Sequence, residues 1–162
     1  MKSIPDDYSD LPLFAGLEEV HYFVRSQLVR ERSLPRIKIQ SSTEAAQYIR
    51  EQIGDYGREA FVVLALNTRH GVNAPSIVHL GSATESIVDT SDILRVALYS
   101  NARCIIIAHN HPSGEASPSA EDRAVTKKVK EAATLLNITL LDHIIIGDGE
   151  YYSFADQGLL LS

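Results

Sequence analysis

Apolar positions along the chain alternate between helical and strand spacing. Leu17, Val20, Phe23, Val24 and Leu28 recur at helical spacing over 16–33, and Pro35 ends that segment. Arg36-Ile37-Lys38-Ile39 reads as a short strand. Ser41-Ser42-Thr43-Glu44 supplies cap-type residues for a helix over roughly 43–54, with Ala45, Ala46, Ile49 and Ile53 on its apolar face. A strand is expected at about 59–66, a turn from Asn67 to Asn73, and a second strand near 76–81. Thr90-Ser91-Asp92 caps a helix that runs to about Ser100. Residues 102–108, ARCIIIA, form a run that is apolar apart from Arg103 and reads as a buried strand. Ser117 as N-cap and Pro118 at the first helical position predict a helix over about 118–136, with Ala124, Val125, Val129, Ala132, Ala133 and Leu136 at helical spacing. A strand over about 138–146 follows. Gly147-Asp148-Gly149 then turns into a last strand at 150–154. Strands and helices are intermixed, and hairpin-like pairs occur among them. The pattern predicts a mixed α/β fold with a central mixed β-sheet flanked by helices, not a purely parallel doubly wound sheet.

Composition narrows the class. A chain of 162 residues, 44% hydrophobic and 22% charged, fits one ordinary globular domain with a sizeable core. Its net charge of −6 argues against a whole-surface nucleic-acid binder. A local basic stretch does exist: Arg25, Arg30, Arg32, Arg36 and Lys38 stand against only Glu31. It reads first as a solvated face and second as a weak DNA contact, Arg25–Lys38. The single cysteine, Cys104, lies in the apolar strand as a small buried hydrophobe; it has no internal partner, which fits a reducing compartment. No apolar run approaches a membrane span, and the start of the chain is not a signal peptide, so a cytoplasmic protein is expected. Residues 1–15 are acidic, contain Pro5 and Pro12, and read as a flexible arm. The chain thus divides into an N-terminal acidic arm and helix, 1–40, and a main domain, 41–162.

The chemistry concentrates in His109-Asn110-His111-Pro112-Ser113-Gly114, followed by Ser119 and Asp122. Two histidines one residue apart point the same way on extended backbone, so both can bind one metal ion. Asp122 returns a carboxylate from the next helix, where an acidic residue also suits the N-terminal dipole. Two His and one Asp leave a tetrahedral zinc ion one open position. That is the arrangement of a catalytic zinc rather than a closed structural one. Ser119 and Asp122, three apart in a first helical turn, share a face.

This constellation resembles the JAB/MPN metalloprotease signature, a distant Glu followed by H-x-H-x(7)-S-x-x-D, which His109, His111, Ser119 and Asp122 fit without a gap. Within that superfamily the RadC-like branch is the nearer likeness, on the segments EAFVVLALNTR (59–69), AHNHPSGEASPSAED (108–122) and LLDHIIIGDGEYYSF (140–154). The likeness covers about residues 40–156. It implies a cytidine-deaminase-like JAB/MPN fold and a Zn2+-dependent hydrolase that attacks a peptide or isopeptide bond. It further implies Glu59 as the general base, with Glu51 and Glu85 as fallbacks, and Ser119 as the hydrogen-bond donor to the tetrahedral oxyanion. Asn110 stands where other branches carry Ser or Thr, and is expected to bear on substrate rather than on metal. The RadC name carries a rival expectation, a DNA-repair or mobile-element accessory protein that acts by binding DNA or a partner.

Each assignment has a plainer competitor. Ser119 reads also as a helix-start residue, Asp122 as a dipole partner, and Glu59 as an ordinary strand residue. Asp142-His143 reads first as a core or strand-end histidine and second as a pair that orients a metal ligand. His21, His70 and His79 lack ligand partners nearby in sequence and take no role. A zinc deaminase would need H-x-E and P-C-x-x-C, which one cysteine cannot supply, and there is no H-E-x-x-H. Leu11-Pro12-Leu13-Phe14 resembles a short sliding-clamp docking peptide without its leading Gln; its competitor is packing on the domain. Loops 67–75 and 112–117 are expected to shape the cleft and hence the specificity.

Overall fold

A computed structural model describes residues 37–81 and 88–160. The expected flexible arm, the helix over 16–33, the docking-type peptide at Leu11–Phe14, Glu85 and all of the basic stretch except Lys38 lie outside the described residues. The order of elements is α1 (Ser42–Ile53), β1 (Ala60–Leu66), β2 (Val72–Leu80), α2 (Thr90–Tyr99), β3 (Cys104–Asn110), α3 (Ala120–Leu135), β4 (Thr139–Ile146) and β5 (Tyr151–Ser153). The strands form one mixed sheet in the order β2-β1-β3-β4-β5. β1 runs antiparallel to β2 and to β3, β3 parallel to β4, and β4 antiparallel to β5. The mixed α/β expectation holds.

The sheet is covered on both faces because its two central strands β1 and β3 are almost wholly apolar, with only His109 and Asn110 of β3 polar. β1 and β3 are buried throughout, so alternation sends alternate residues into two cores. Val62, Leu64, Leu66, Cys104, Ile106, Ala108, Ile144 and Ile146 pack on Ala45, Ala46, Ile49 and Ile53 of α1. Phe61, Val63, Ala65, Ile105, Ile107 and Leu140 pack on Ile93, Leu94 and Ala97 of α2 and on Val129 and Ala133 of α3. α1 therefore lies on one face, and α2 with α3 on the other.

Elements differ from expectation in five places. α3 is capped by Ser119, not Ser117. The Ser119 hydroxyl accepts the Asp122 N–H while the Asp122 carboxylate accepts the Ser119 N–H, and this reciprocal box outweighs a proline at the first position. α2 is capped by Asp89, whose carboxylate accepts the Ser91 N–H at 2.8 Å. β2 begins at Val72 although it contains Pro75; as an edge strand it tolerates a missing N–H. β3 spans Cys104–Asn110, not 102–108, which carries His109 into the strand. Of the expected strand at 36–39, the described residues 37–39 form only a Lys38–Gly71 bridge.

Ile49 is fully buried between α1 and the sheet. Ile49→Ala should lower unfolding free energy by about 2–5 kcal/mol, measured by urea denaturation.

Candidate metal centre

His109 and His111 share the α2/α3 side of β3, because Ile105, Ile107 and His109 alternate onto that face and His111 continues it. The His109 ring stacks on Phe61, with centroids 5.7 Å apart and 5° between planes, and is fully buried. Asp122, in the first turn of α3, closes the group. His109 Nε2 lies 2.9 Å from His111 Nε2 and 3.1 Å from Asp122 Oδ1, and His111 Nε2 lies 3.7 Å from Asp122 Oδ2. Among the described residues this is a His-His-Asp group whose ligand atoms lie within 4.8 Å of one another. The side chains of His111 and Asp122 keep 19% and 13% exposure, so the cluster is closed behind His109 and open at its rim.

The donor set suits a cation. The His111 Nδ1 donates to the Glu115 carbonyl at 2.7 Å, and a carbonyl can only accept, so Nδ1 holds the proton and Nε2 turns its other valence inward. His109 turns Nδ1 to His143, and its Nε2 also faces inward. Two imidazole nitrogens and a carboxylate thus converge with a deficit of positive charge. The Asp122 carboxylate raises the His111 pKa against the opposing effect of burial, with help from the Glu115 carbonyl and from the charges of Asp122 and Glu59. Burial acts to raise the Asp122 pKa, but its contacts with His109, His111 and the Ser119 hydroxyl hold it far below the usual carboxylate range. These are the residues a divalent metal such as zinc would use.

Glu59 is the last residue before β1 and is half-buried. Phe61 pairs with His109 in the antiparallel ladder, and continuing that pairing past the strand end sets Glu59 opposite His111. The electrostatic effect of Glu59 on His111 agrees with this placement. Glu51 sits on α1, which covers the other face of the sheet. The Ser119 hydroxyl is the α3 cap and donates to Asp122 Oδ2 at 2.7 Å.

Asn110 alternates away from the cluster and is not positioned to meet substrate. It is buried, accepts the Ala60 N–H at 2.8 Å, and donates to the Tyr56 carbonyl at 3.0 Å and the Arg58 carbonyl at 3.2 Å. The side chain grips the backbone on both sides of Glu59. His143, read first as a core histidine, is fully buried and also bonds His109: its Nε2 lies 3.0 Å from His109 Nδ1. Asp142 does not join it. That carboxylate accepts from the Ser153 hydroxyl at 2.6 Å and the Ala155 N–H at 2.9 Å.

A cleft of about 410 Å³ opens beside His111, lined in part by Tyr56, Pro112, Ser113, Gly114 and Asp148. The loop after β3 is held to the β4–β5 turn: the His111 N–H bonds the Ile146 carbonyl, and the Asp148 N–H bonds the Gly114 carbonyl at 2.7 Å. Gly147 allows this approach, since a Cβ there would meet the Gly114 carbonyl oxygen at 2.5 Å. Of the loops expected to shape the cleft, only the one at 112–117 contributes. Residues 67–75 lie at the far end of β1, beside Cys104, because β1 and β3 are antiparallel.

Residues 39–159 match the RadC-like JAB domain. The chain belongs to the RadC-like JAB domain family. It is 41% identical over 132 residues to a UPF0758 protein of Shouchella clausii, covering 82% of this chain and 57% of that relative. It is 42% identical over 146 residues to a UPF0758 protein of Burkholderia ambifaria, covering 90% and 56%. A UPF0758 protein of Methanosarcina mazei is 39% identical over 126 residues, covering 78% and 55%. The chain therefore spans a little over half the length of these relatives. In this RadC-like domain, among the described residues, no helix is long and apolar enough to cross a membrane.

Removing the Asn110 amide strands the buried Ala60 N–H and frees the loop that carries Glu59. Asn110→Ala should destabilise the fold by about 1–3 kcal/mol in chemical denaturation. Hydrogen exchange should quicken at Ala60, while the amides at the far end of β1 stay protected.

Proposed function

We propose that this RadC-like domain is a zinc-dependent hydrolase that cleaves an amide bond, in a peptide or an isopeptide linkage. The observation that carries the reading is the convergence of His109 Nε2, His111 Nε2 and the Asp122 carboxylate at a rim whose His111 also lines a cleft. Family membership supports the choice of metal and of bond. His109, His111 and Asp122 would hold the zinc ion. When bound, zinc supplies Lewis acidity and makes a water acidic enough to ionise near neutral pH.

The remaining chemistry belongs to the chain. Glu59, set opposite His111, would take the proton from the attacking water on its carboxylate and deliver it to the leaving nitrogen. Ser119 accepts the Asp122 N–H through a lone pair, which leaves its hydroxyl proton free to rotate. Turned from Asp122 toward the cleft, that proton would meet the developing oxyanion of the substrate carbonyl. The loop 112–114 and Tyr56 flank His111, so the scissile bond would enter along that side.

The test joins metal analysis to turnover. Wild type purified without chelator should hold about one zinc per chain, and His109→Ala should hold almost none. Glu59→Gln should keep its zinc and lose at least ~100-fold in turnover on peptide and isopeptide substrates. A wild type that binds no zinc sinks the reading, whereas full turnover in Glu59→Gln removes only the base.

A further inference from the structure

His109, His143 and Thr126 form a buried line of hydrogen bonds behind the metal cluster. Thr126 sits one turn after Asp122 on α3, and its hydroxyl lies 2.5 Å from the Asp122 backbone carbonyl. The same oxygen lies 2.6 Å from His143 Nδ1. On its other side His143 meets His109 Nδ1 at 3.0 Å. Thr126 is 4% exposed, and His109 and His143 are fully buried, so no solvent enters the line.

The direction of the line follows from its fixed end. A backbone carbonyl has no proton to give, so the hydroxyl must donate its single proton to Asp122. The alternative leaves two oxygens 2.5 Å apart with nothing between them. With its proton committed, Thr126 can only accept from His143, which places the His143 proton on Nδ1. Neutral His143 then offers a lone pair at Nε2, and His109 must donate to it from Nδ1. The nitrogen of His109 left without a proton is Nε2, the atom that faces His111 and Asp122. His143 is fully buried with Thr126 and His109 as its side-chain hydrogen-bond partners and no carboxylate among them, a setting that disfavours a charged ring. Phe154 stacks on it at 4.9 Å with 14° between planes, and Phe61 tilts against it at 5.8 Å, so the ring cannot turn over freely.

We propose that Thr126 is a positioning residue that acts through His143 to fix the tautomer of His109, leaving Nε2 of His109 open as a metal ligand. The proposal rests on the metal-site reading and adds to it the residues that prepare the ligand. The line is also a closed ring, because it starts on the backbone of Asp122, whose carboxylate joins the same cluster. A ligand nitrogen whose tautomer is preset need not rearrange its proton when a cation arrives, and loss of such supporting contacts typically weakens metal binding by about 10–100-fold.

Two measurements decide it. The first is a long-range proton–nitrogen correlation on nitrogen-15-labelled, metal-free protein near pH 7.5. His143 should read as the Nδ1–H tautomer; an Nε2–H reading overturns the proposal whether or not the protein takes up zinc. The second is zinc affinity by chelator competition. Thr126→Val and His143→Phe should each weaken zinc binding about 10–100-fold. Thr126→Ser, which keeps the hydroxyl, should bind as wild type does. The double variant should bind no more weakly than His143→Phe alone, because Thr126 acts only through that ring. Additive losses, or wild-type affinity in Thr126→Val, overturn the proposal and leave the metal centre standing. A wild type that takes no zinc removes the metal-site reading, and with it the ligand role given to Nε2.

Discussion

β3 is held on both sides, antiparallel to β1 and parallel to β4, and every element of the candidate site takes its place from that double pairing. Alternation along β3 sends His109 toward α3 and Asn110 toward α1. The β1 register brings Glu59 to His111, and the β4 register brings His143 beside the ring of His109. A slip of one residue on either side would exchange the faces of one set against the other. Burial of these strands makes such a slip costly, since a slip of β3 would drive His109 into the apolar α1 core and a slip of β4 would set Asp142 or Ile144 in the place of His143.

The polar groups near this register are buried, and each is satisfied. His109, His143, Thr126 and Asn110 all lie at 4% exposure or less, yet no buried side-chain nitrogen or oxygen among the described residues lacks a partner. Asn110 bonds three backbone groups, and His143 and Thr126 complete each other. In a low-dielectric core an incomplete network would cost more than an apolar one, so completeness is what lets ligating groups sit this deep. It also makes the network rigid. The His109 ring, bonded to His143 on one edge and stacked on Phe61, presents Nε2 in one direction.

Much of this was legible in the chain. The spacing of His109, His111, Ser119 and Asp122 gave the cluster, because neighbours on one strand and one helical turn obey local geometry. Long apolar runs gave the buried strands. The sequence concealed what depends on pairing between distant segments. The role of His143 is the clearest case. Leu140 packs on the α2/α3 side, and strict alternation would send His143 to the opposite face. The register of β4 against β3 shifts between Leu140 and Asp142, inserting Leu141 as an extra residue and turning His143 back toward α3. Nothing in LLDHIII marks that bulge. The structural role of Asn110 is hidden for a related reason: its partners lie 50 and more positions upstream. α3 starts two residues later than Pro118 signals, because the reciprocal Ser119–Asp122 box sets its first turn.

The cluster is asymmetric, and the asymmetry divides the work between its ligands. His109 is sealed in by Phe61, His143 and α3, while His111 and Asp122 stand at the rim. Rigidity is concentrated on the sealed side, where a preset nitrogen serves binding. Access is concentrated on the other, where the loop after β3 and the loop before β1 border the cleft. Asp122 belongs to both sides: its carboxylate faces the cluster and its backbone anchors the line through Thr126. A cation held there would therefore tie the first turn of α3 to the end of β3. Cation binding to the folded state alone would stabilise that joint in proportion to the logarithm of its concentration over its dissociation constant. The segment of α3 nearest the site is thus the part of the fold whose stability should depend most on what the site contains.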